Sequence, residues 1–145
     1  MIINDGSSDG TLGIIESYAL RDGRIRVLSH SNMGLIRSLN RGLGEARGEF
    51  IARMDGDDIS VSHRLRVQYD LMSSSRDIVL SGSDSVSILP SGEEYRLGWL
   101  DEASLRRAIF LRSPFSHPTA MYRRDVALTL GGYDESFVAT EDFEF

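Results

Sequence analysis

The chain has no cysteine, no long apolar run and no block of basic residues among its 145 positions. Each absence excludes a class of protein. Without cysteine there can be no disulfide framework, zinc–thiolate site or thiol nucleophile, and a reducing compartment is fully compatible. No stretch approaches the roughly 20 apolar residues that span a bilayer, and the N-terminus lacks a charged region followed by a long apolar one. A formal net charge of −6 with no Lys/Arg block argues against a nucleic-acid partner reached through phosphate neutralisation. The balance of 41% apolar and 26% charged residues is that of an ordinary globular protein. At this size one domain would bury roughly two-thirds of its unfolded surface. The expectation is a single cytoplasmic domain over residues 1–145 with no transmembrane segment, whose acidic clusters hold cations rather than repel nucleic acid.

Neither internal repeats nor an interdomain linker interrupts the pattern. Met1-Ile2-Ile3 runs into Asn4-Asp5-Gly6-Ser7-Ser8-Asp9-Gly10-Thr11, a dense turn signal that reads as a strand-to-helix junction. The next helix places Leu12, Ile15 and Ala19 near one face and ends at Asp22-Gly23. Alternation over Arg24-Ile25-Arg26-Val27-Leu28 predicts a half-buried strand. Leu35, Leu39, Leu43 and Ala46 recur at helical spacing, with Gly48 placed to cap the end. Beyond Asp58, Ser62 can cap a helix carrying Leu65, Tyr69 and Met72 on one face. Strands follow at Asp77 to Ser81, Val86 to Leu89 before the turn Pro90-Ser91-Gly92, and Thr119 to Tyr122, with a helix from Asp101 and another ending at Gly131-Gly132. The alternation of strands and helices in the first half implies parallel βαβ units, whereas the second half is more mixed. Both ends read as cut, the last six residues stopping inside an amphipathic pattern, so the chain is expected to be a fragment of a longer protein.

The run Glu49-Phe50-Ile51-Ala52-Arg53-Met54-Asp55-Gly56-Asp57-Asp58 is an apolar strand that ends abruptly in three carboxylates. If the segment stays extended, Asp55 and Asp57 point to one side and can converge on a hard cation, with Gly56 admitting a tight turn or a close ligand. An acidic, solvated turn is the alternative. An EF-hand register fails, because the required Gly and Glu are Ser60 and Arg66. The Asp5 junction carries amides, hydroxyls and a carboxylate, without the Gly-Lys-Ser/Thr of a Walker loop or the GxGxxG of a dinucleotide fold. It is either a nucleotide loop or a capping turn. Glu141-Asp142 offers either a general base or a helix cap. His117, between Pro114 and Pro118 in a constrained loop, is either a pocket group or a structural histidine, and Trp99 and Phe110 read as core.

Taken in order, the segments Ile3 to Thr11, Asn32-Met33-Gly34-Leu35, Leu39-Asn40-Arg41-Gly42-Leu43 and Ala46 to Asp58 resemble a family 2 glycosyltransferase. His117 to Arg124, Gly131-Gly132-Tyr133-Asp134-Glu135 and Glu141-Asp142-Phe143 are similar to that family's second half. The resemblance implies an α/β protein with the GT-A fold, a Rossmann-like α/β/α sandwich with a mainly parallel central sheet. It also implies transfer of a sugar, usually with inversion, from a nucleotide-diphosphate donor such as a UDP-sugar to a hydroxyl of a saccharide or lipid-linked acceptor, as in cell-surface polysaccharide synthesis. By motif position, Asp5 would contact the nucleotide base, and Asp55 and Asp57 would form the DxD element. Asp57 would be the more direct ligand of Mg²⁺ or Mn²⁺, with Asp55 or Gly56 near the ribose. Asp142 would be the catalytic base, Glu141 its neighbour on the substrate side, and His117 would lie near the acceptor. Asn4 stands where many relatives carry a second aspartate. The parent protein could also associate peripherally with the inner face of the membrane.

Two rivals remain open on the residues alone. In an aspartate-nucleophile phosphatase, Asp55 of Asp55-Gly56-Asp57-Asp58-Ile59 would attack phosphorus, although Ile59 and the mid-chain position count against it. In a catalytically dead nucleotide-binding remnant, binding would survive without turnover.

Overall fold

A computed structural model of the chain describes residues 1–97 and 116–136. They fall into two compact units, one comprising Met1–Arg47 with the stretch that begins at Leu128, the other comprising Gly48–Ala127.

The first unit contains β1 (Ile2–Asp5), α1 (Thr11–Ala19), β2 (Val27–His30) and α2 (Leu35–Glu45). Strands β1 and β2 pair in parallel, with Ile2 opposite Val27 and Asp5 opposite His30. A parallel pair needs a crossover, and α1 supplies it. Leu12, Ile15 and Ala19 are half-buried while Glu16 is exposed, so the 3.6-residue period placed the inward face of α1 correctly. Strand β2 starts later than the alternation from Arg24 suggests, because Asp22 bends the chain there. Its carboxylate accepts the Arg24 N–H at 2.9 Å and its carbonyl accepts the Ile25 N–H at 2.9 Å.

On α2 the buried residues are Ser38, Gly42 and Leu43, and Leu35 is exposed. Gly42 is there for space: a Cβ would lie 2.5 Å from the Ile3 Cδ1 of β1. The helix ends at Ala46 in an extended conformation, so Gly48 is not the left-handed cap its position suggests. The Gly131-Gly132 pair is such a stop, with φ of 97° and 76°. Asn40 on α2 then clamps the following residue, accepting the Tyr133 N–H at 2.8 Å and donating to the Tyr133 carbonyl at 2.7 Å. Tyr133 is thereby held 2% exposed.

The second unit contains β3 (Phe50–Ala52), α3 (Arg64–Ser74), β4 (Leu80–Ser81), β5 (Ser85–Ile88), β6 (Glu94–Leu97), a 3₁₀ turn (His117–Thr119), β7 (Met121–Arg123) and most of α4 (Arg124–Thr129). Strand β7 lies between β3 and β4 and is antiparallel to both, with Met121 opposite Ala52 on one side and Ser81 on the other. All three of its residues are buried. β5 and β6 form a hairpin that turns at Gly92, whose φ is 84°. Among the described residues, parallel pairing is thus confined to β1–β2, and the mixture expected of the second half is antiparallel. Periodicity fixes which residues face inward but not the direction in which a strand runs beside its neighbour.

Helix α3 departs most from expectation. Its buried stripe is Arg64, Gln68 and Met72, whereas Leu65 and Tyr69 are 52% and 56% exposed. The spacing is helical and Met72 is buried as expected, but the first two positions of the stripe are displaced by one residue, because two polar side chains there find carbonyl partners. Gln68 donates to the Thr119 carbonyl at 2.8 Å, and Arg64 binds two carbonyls described below. Ser62 does not cap the helix; His63 occupies the N-cap position without a side-chain hydrogen bond. Arg123 of β7 is a second buried guanidinium. It donates to the carbonyls of Met72, Ser75 and Ile78 and to the Glu49 carboxylate, and lies 5.0 Å from the Phe50 ring centroid.

Candidate functional site

Two carboxylate turns, one in each unit, carry the chemistry the sequence singles out. The first follows β1. The parallel register puts Asp5 beside His30 at the carboxyl ends of the two strands, where open α/β sheets bind ligands. Asp5 is heavily engaged. Oδ1 accepts the Met33 N–H at 2.8 Å, Oδ2 accepts the Gly34 N–H at 3.0 Å, and its carbonyl accepts from the Asn32 side chain at 3.1 Å. His30 Nδ1 lies 3.3 Å from Oδ1, with the imidazole only 7% exposed. Partial burial resists ionisation of Asp5, but the Met33 amide, the Ser38 hydroxyl, the Gly34 amide and His30 together outweigh it and hold the carboxyl below its ordinary 3.8. Gly6 makes the junction possible, since a Cβ there would sit 2.5 Å from the Asn32 nitrogen and φ is 76°. Asn4 is buried, donating to the Ser29 hydroxyl at 3.1 Å and accepting the Ser7 N–H at 3.3 Å. Its amide therefore braces the strand pair and the turn. Gly10 holds the N-cap position of the next helix, and Asp9 closes a turn before it by accepting the Thr11 N–H at 3.0 Å.

The second turn follows β3, which ends at Ala52. Residues 55–58 are not extended: they fold into a turn in which the Asp58 N–H approaches the Asp55 carbonyl at 3.4 Å. The same-side rule for alternate strand residues therefore does not govern Asp55 and Asp57. Their surroundings differ. The Arg53 guanidinium, 7% exposed, donates to Asp55 Oδ2 at 2.5 Å, so half of that carboxylate is already neutralised. Asp57 is exposed and makes no hydrogen bond or ion pair with any described residue. Gly56 is exposed, and a Cβ there would meet nothing within 4 Å, leaving room for a ligand beside the backbone. Among the described residues no three His, Cys, Asp or Glu side chains converge on one point.

His117 opens the 3₁₀ turn before β7 and is buried. One residue joins this turn to the acidic one. Arg64 of α3 donates from Nη1 to the Pro118 carbonyl at 2.7 Å and from Nη2 to the Arg53 carbonyl at 3.0 Å. Burial pulls its guanidinium below the ordinary arginine value, opposed by the negative charge of Asp58. Asp142 and Glu141, the expected base and its neighbour, lie outside the described residues, as do Trp99 and Phe110.

Three side chains that order these turns escape a motif reading: Arg53, Arg64 and His30. Arg53 had a signal, being a charged residue inside an apolar strand run two positions before Asp55. Arg64 and His30 had none, because their partners are backbone groups or side chains remote in sequence.

The residues 1–131 match the family model described as Glycosyl transferase family 2. Among curated proteins, the chain is 44% identical over 82 residues to a cholesterol galactosyltransferase of Borreliella burgdorferi, covering 56% of this chain and 23% of that protein. It is 28% identical over 145 residues to the O-antigen biosynthesis glycosyltransferase WbnJ of Escherichia coli, covering 99% of this chain and 56% of the relative. The chain thus spans between about a quarter and somewhat over half of these relatives' lengths. A crystal structure of S. aureus TarS superposes with a TM-score of 0.69 at 23% identity, covering 97% of this chain and 42% of that one, which shows the fold to be shared. With a family match over most of its length, and with the GT-A fold, the chain belongs to glycosyltransferase family 2.

Proposed function

We propose that the protein is a metal-dependent, inverting glycosyltransferase that moves a sugar from a nucleotide-diphosphate donor, a UDP-sugar by preference, to a hydroxyl of a saccharide or lipid-linked acceptor in cell-surface polysaccharide synthesis. One observation carries the reading: the Asp57 carboxylate is exposed and without a described partner, on a turn whose other candidate ligand, Asp55, is held by Arg53. The residues suit Mg²⁺ or Mn²⁺, hard cations that commonly take one or two protein carboxylates and complete their shell with water and substrate phosphates. When bound, the ion supplies charge neutralisation for the leaving diphosphate. Asp57 would hold it, with Asp55 and Gly56 on the ribose side. Asp5, locked by the loop after β2, presents that loop's edge to the base. The acceptor oxygen attacks the anomeric carbon as the bond to the diphosphate breaks, and Asp142 takes the hydroxyl proton. His117 and Glu141 would line the acceptor side. Both units act as one catalytic domain, since the family match runs through both. A cytoplasmic location, with peripheral membrane contact of the whole protein, is part of the proposal, and no helix among the described residues is long and apolar enough to cross a membrane. Family membership leaves the phosphatase rival without support.

The test is Asp57→Ala in the full-length protein. Turnover with Mn²⁺ and a donor panel should fall by roughly 10² or more, the range expected when several kcal/mol of charge stabilisation go. Thermal stabilisation by UDP plus Mn²⁺ should vanish while the melting temperature of the free protein is unchanged. Full metal-dependent UDP binding by the variant would overturn the metal assignment. A wild type that is stabilised by UDP and Mn²⁺ but never transfers sugar would support the binding remnant instead.

A further inference from the structure

Strands β3 and β7 pair from Phe50 opposite Arg123 to Ala52 opposite Met121, and one more ladder bond follows, from the Arg53 N–H to the Ala120 carbonyl at 2.9 Å. There the two chains separate. One turns into the acidic segment Asp55 to Asp58, the other comes from the His117–Thr119 turn. Separation strips backbone carbonyls of their partners, and a buried carbonyl without a donor costs about 1–3 kcal/mol. Arg64 takes up that role. Its forked guanidinium donates to the Arg53 carbonyl on one chain and to the Pro118 carbonyl on the other. Gln68, one turn further along α3, extends the same work to the Thr119 carbonyl and the Ser81 hydroxyl.

We infer that Arg64 is a positioning residue that sets the acidic turn and the His117 turn against each other, so that donor and acceptor sides are held in register by one buried cation. Two features exclude a simple solubility or packing role. The side chain is buried, where an arginine is costly unless paired, and both terminal nitrogens of the fork are used although Nε has no hydrogen-bond partner among the described residues. Both hydrogen bonds go to backbone one or two residues from a candidate site group: Pro118 adjoins His117, and Arg53 precedes Asp55 by two. A lysine presents a point charge rather than a fork and cannot satisfy both carbonyls in the same geometry. The kinetic half of this inference rests on the glycosyltransferase reading; the coupling of the two turns does not.

The experiment compares full-length wild type, Arg64→Met and Arg64→Lys by amide hydrogen exchange and by kinetics. In Arg64→Met, amides of residues 54–58 and of His117, Thr119 and Ala120 should exchange together, roughly tenfold faster or more, while those of β1 and β2 keep their protection. Arg64→Lys should fall between, and it serves alone if Arg64→Met fails to fold. In the same variants the KM for donor and the KM for acceptor should both rise by about fivefold or more, with Lys partly restoring them. Loosening of only one turn, of neither, or of the whole protein uniformly would overturn the inference. So would a variant that melts lower yet keeps both KM values. If wild type transfers no sugar at all, the functional reading fails by itself, and the exchange data still decide the coupling.

Discussion

The two carboxylate turns are made from similar residues and are built in opposite ways. At the end of β1 both oxygens of Asp5 are consumed by backbone amides, with His30 alongside. At the end of β3, one oxygen of Asp55 is held by Arg53 while Asp57 is left open to solvent. A carboxylate whose lone pairs are spent shapes a loop; one whose lone pairs are free can bind a cation. Aspartates after a strand are thus not one kind of site, and the partners decide which kind each is.

The largest effect expected from breaking this contrast is at Asp5. Asp5→Asn keeps the shape but turns an NH₂ toward an amide, and should destabilise the protein by about 1.5–3 kcal/mol at pH 7 in urea unfolding. The sign with pH follows from the lowered native pKa: the ionised carboxylate stabilises above the unfolded value near 3.8, and that contribution is lost as pH falls through the lower folded value. The gap between wild type and variant should therefore close below pH 3.8. A gap that persists at low pH would mean that packing, not the amide bonds, makes Asp5 important.

Arg53→Met should cost less, about 1–2 kcal/mol, since its partner Asp55 is part-exposed and screened by water. It should also make the acidic turn more negative and tighten Mn²⁺ binding in the absence of nucleotide, measured by calorimetry. Unchanged or weaker metal binding would show that Arg53 orients the turn rather than neutralises it. The smallest effect marks the other limit. Asp22 is held down to about 2 by the Arg24 guanidinium, yet both groups are solvated. Arg24→Ala should raise the Asp22 pKa toward 3.8 in an NMR titration and leave the melting temperature essentially unmoved.

Much of this was legible in the residues. The half-buried face of α1, the Pro90–Gly92 turn, the Gly131-Gly132 stop and the order of the motifs each follow from local periodicity or backbone sterics, and the family followed from that order. The face of α3 did not follow, because Leu65 and Tyr69 offered an apolar stripe while Arg64 and Gln68 were buried by carbonyls more than ten residues away in sequence. The alternation that brought Asp55 and Asp57 to one side failed for a related reason: the strand stops at Ala52 and the acids lie on a turn.

What the sequence by itself determined is therefore the chemistry on offer: acids at strand ends, no thiols, no block of basic residues, and glycines where the backbone must bend or another atom must come close. Only the tertiary structure decided which acid is spent and which is open, since that depends on Met33, Gly34 and Arg53 reaching their partners. Local sequence fixes a residue's propensity and charge, but a buried hydrogen bond exists only when the fold has brought a donor to an acceptor and taken the water away.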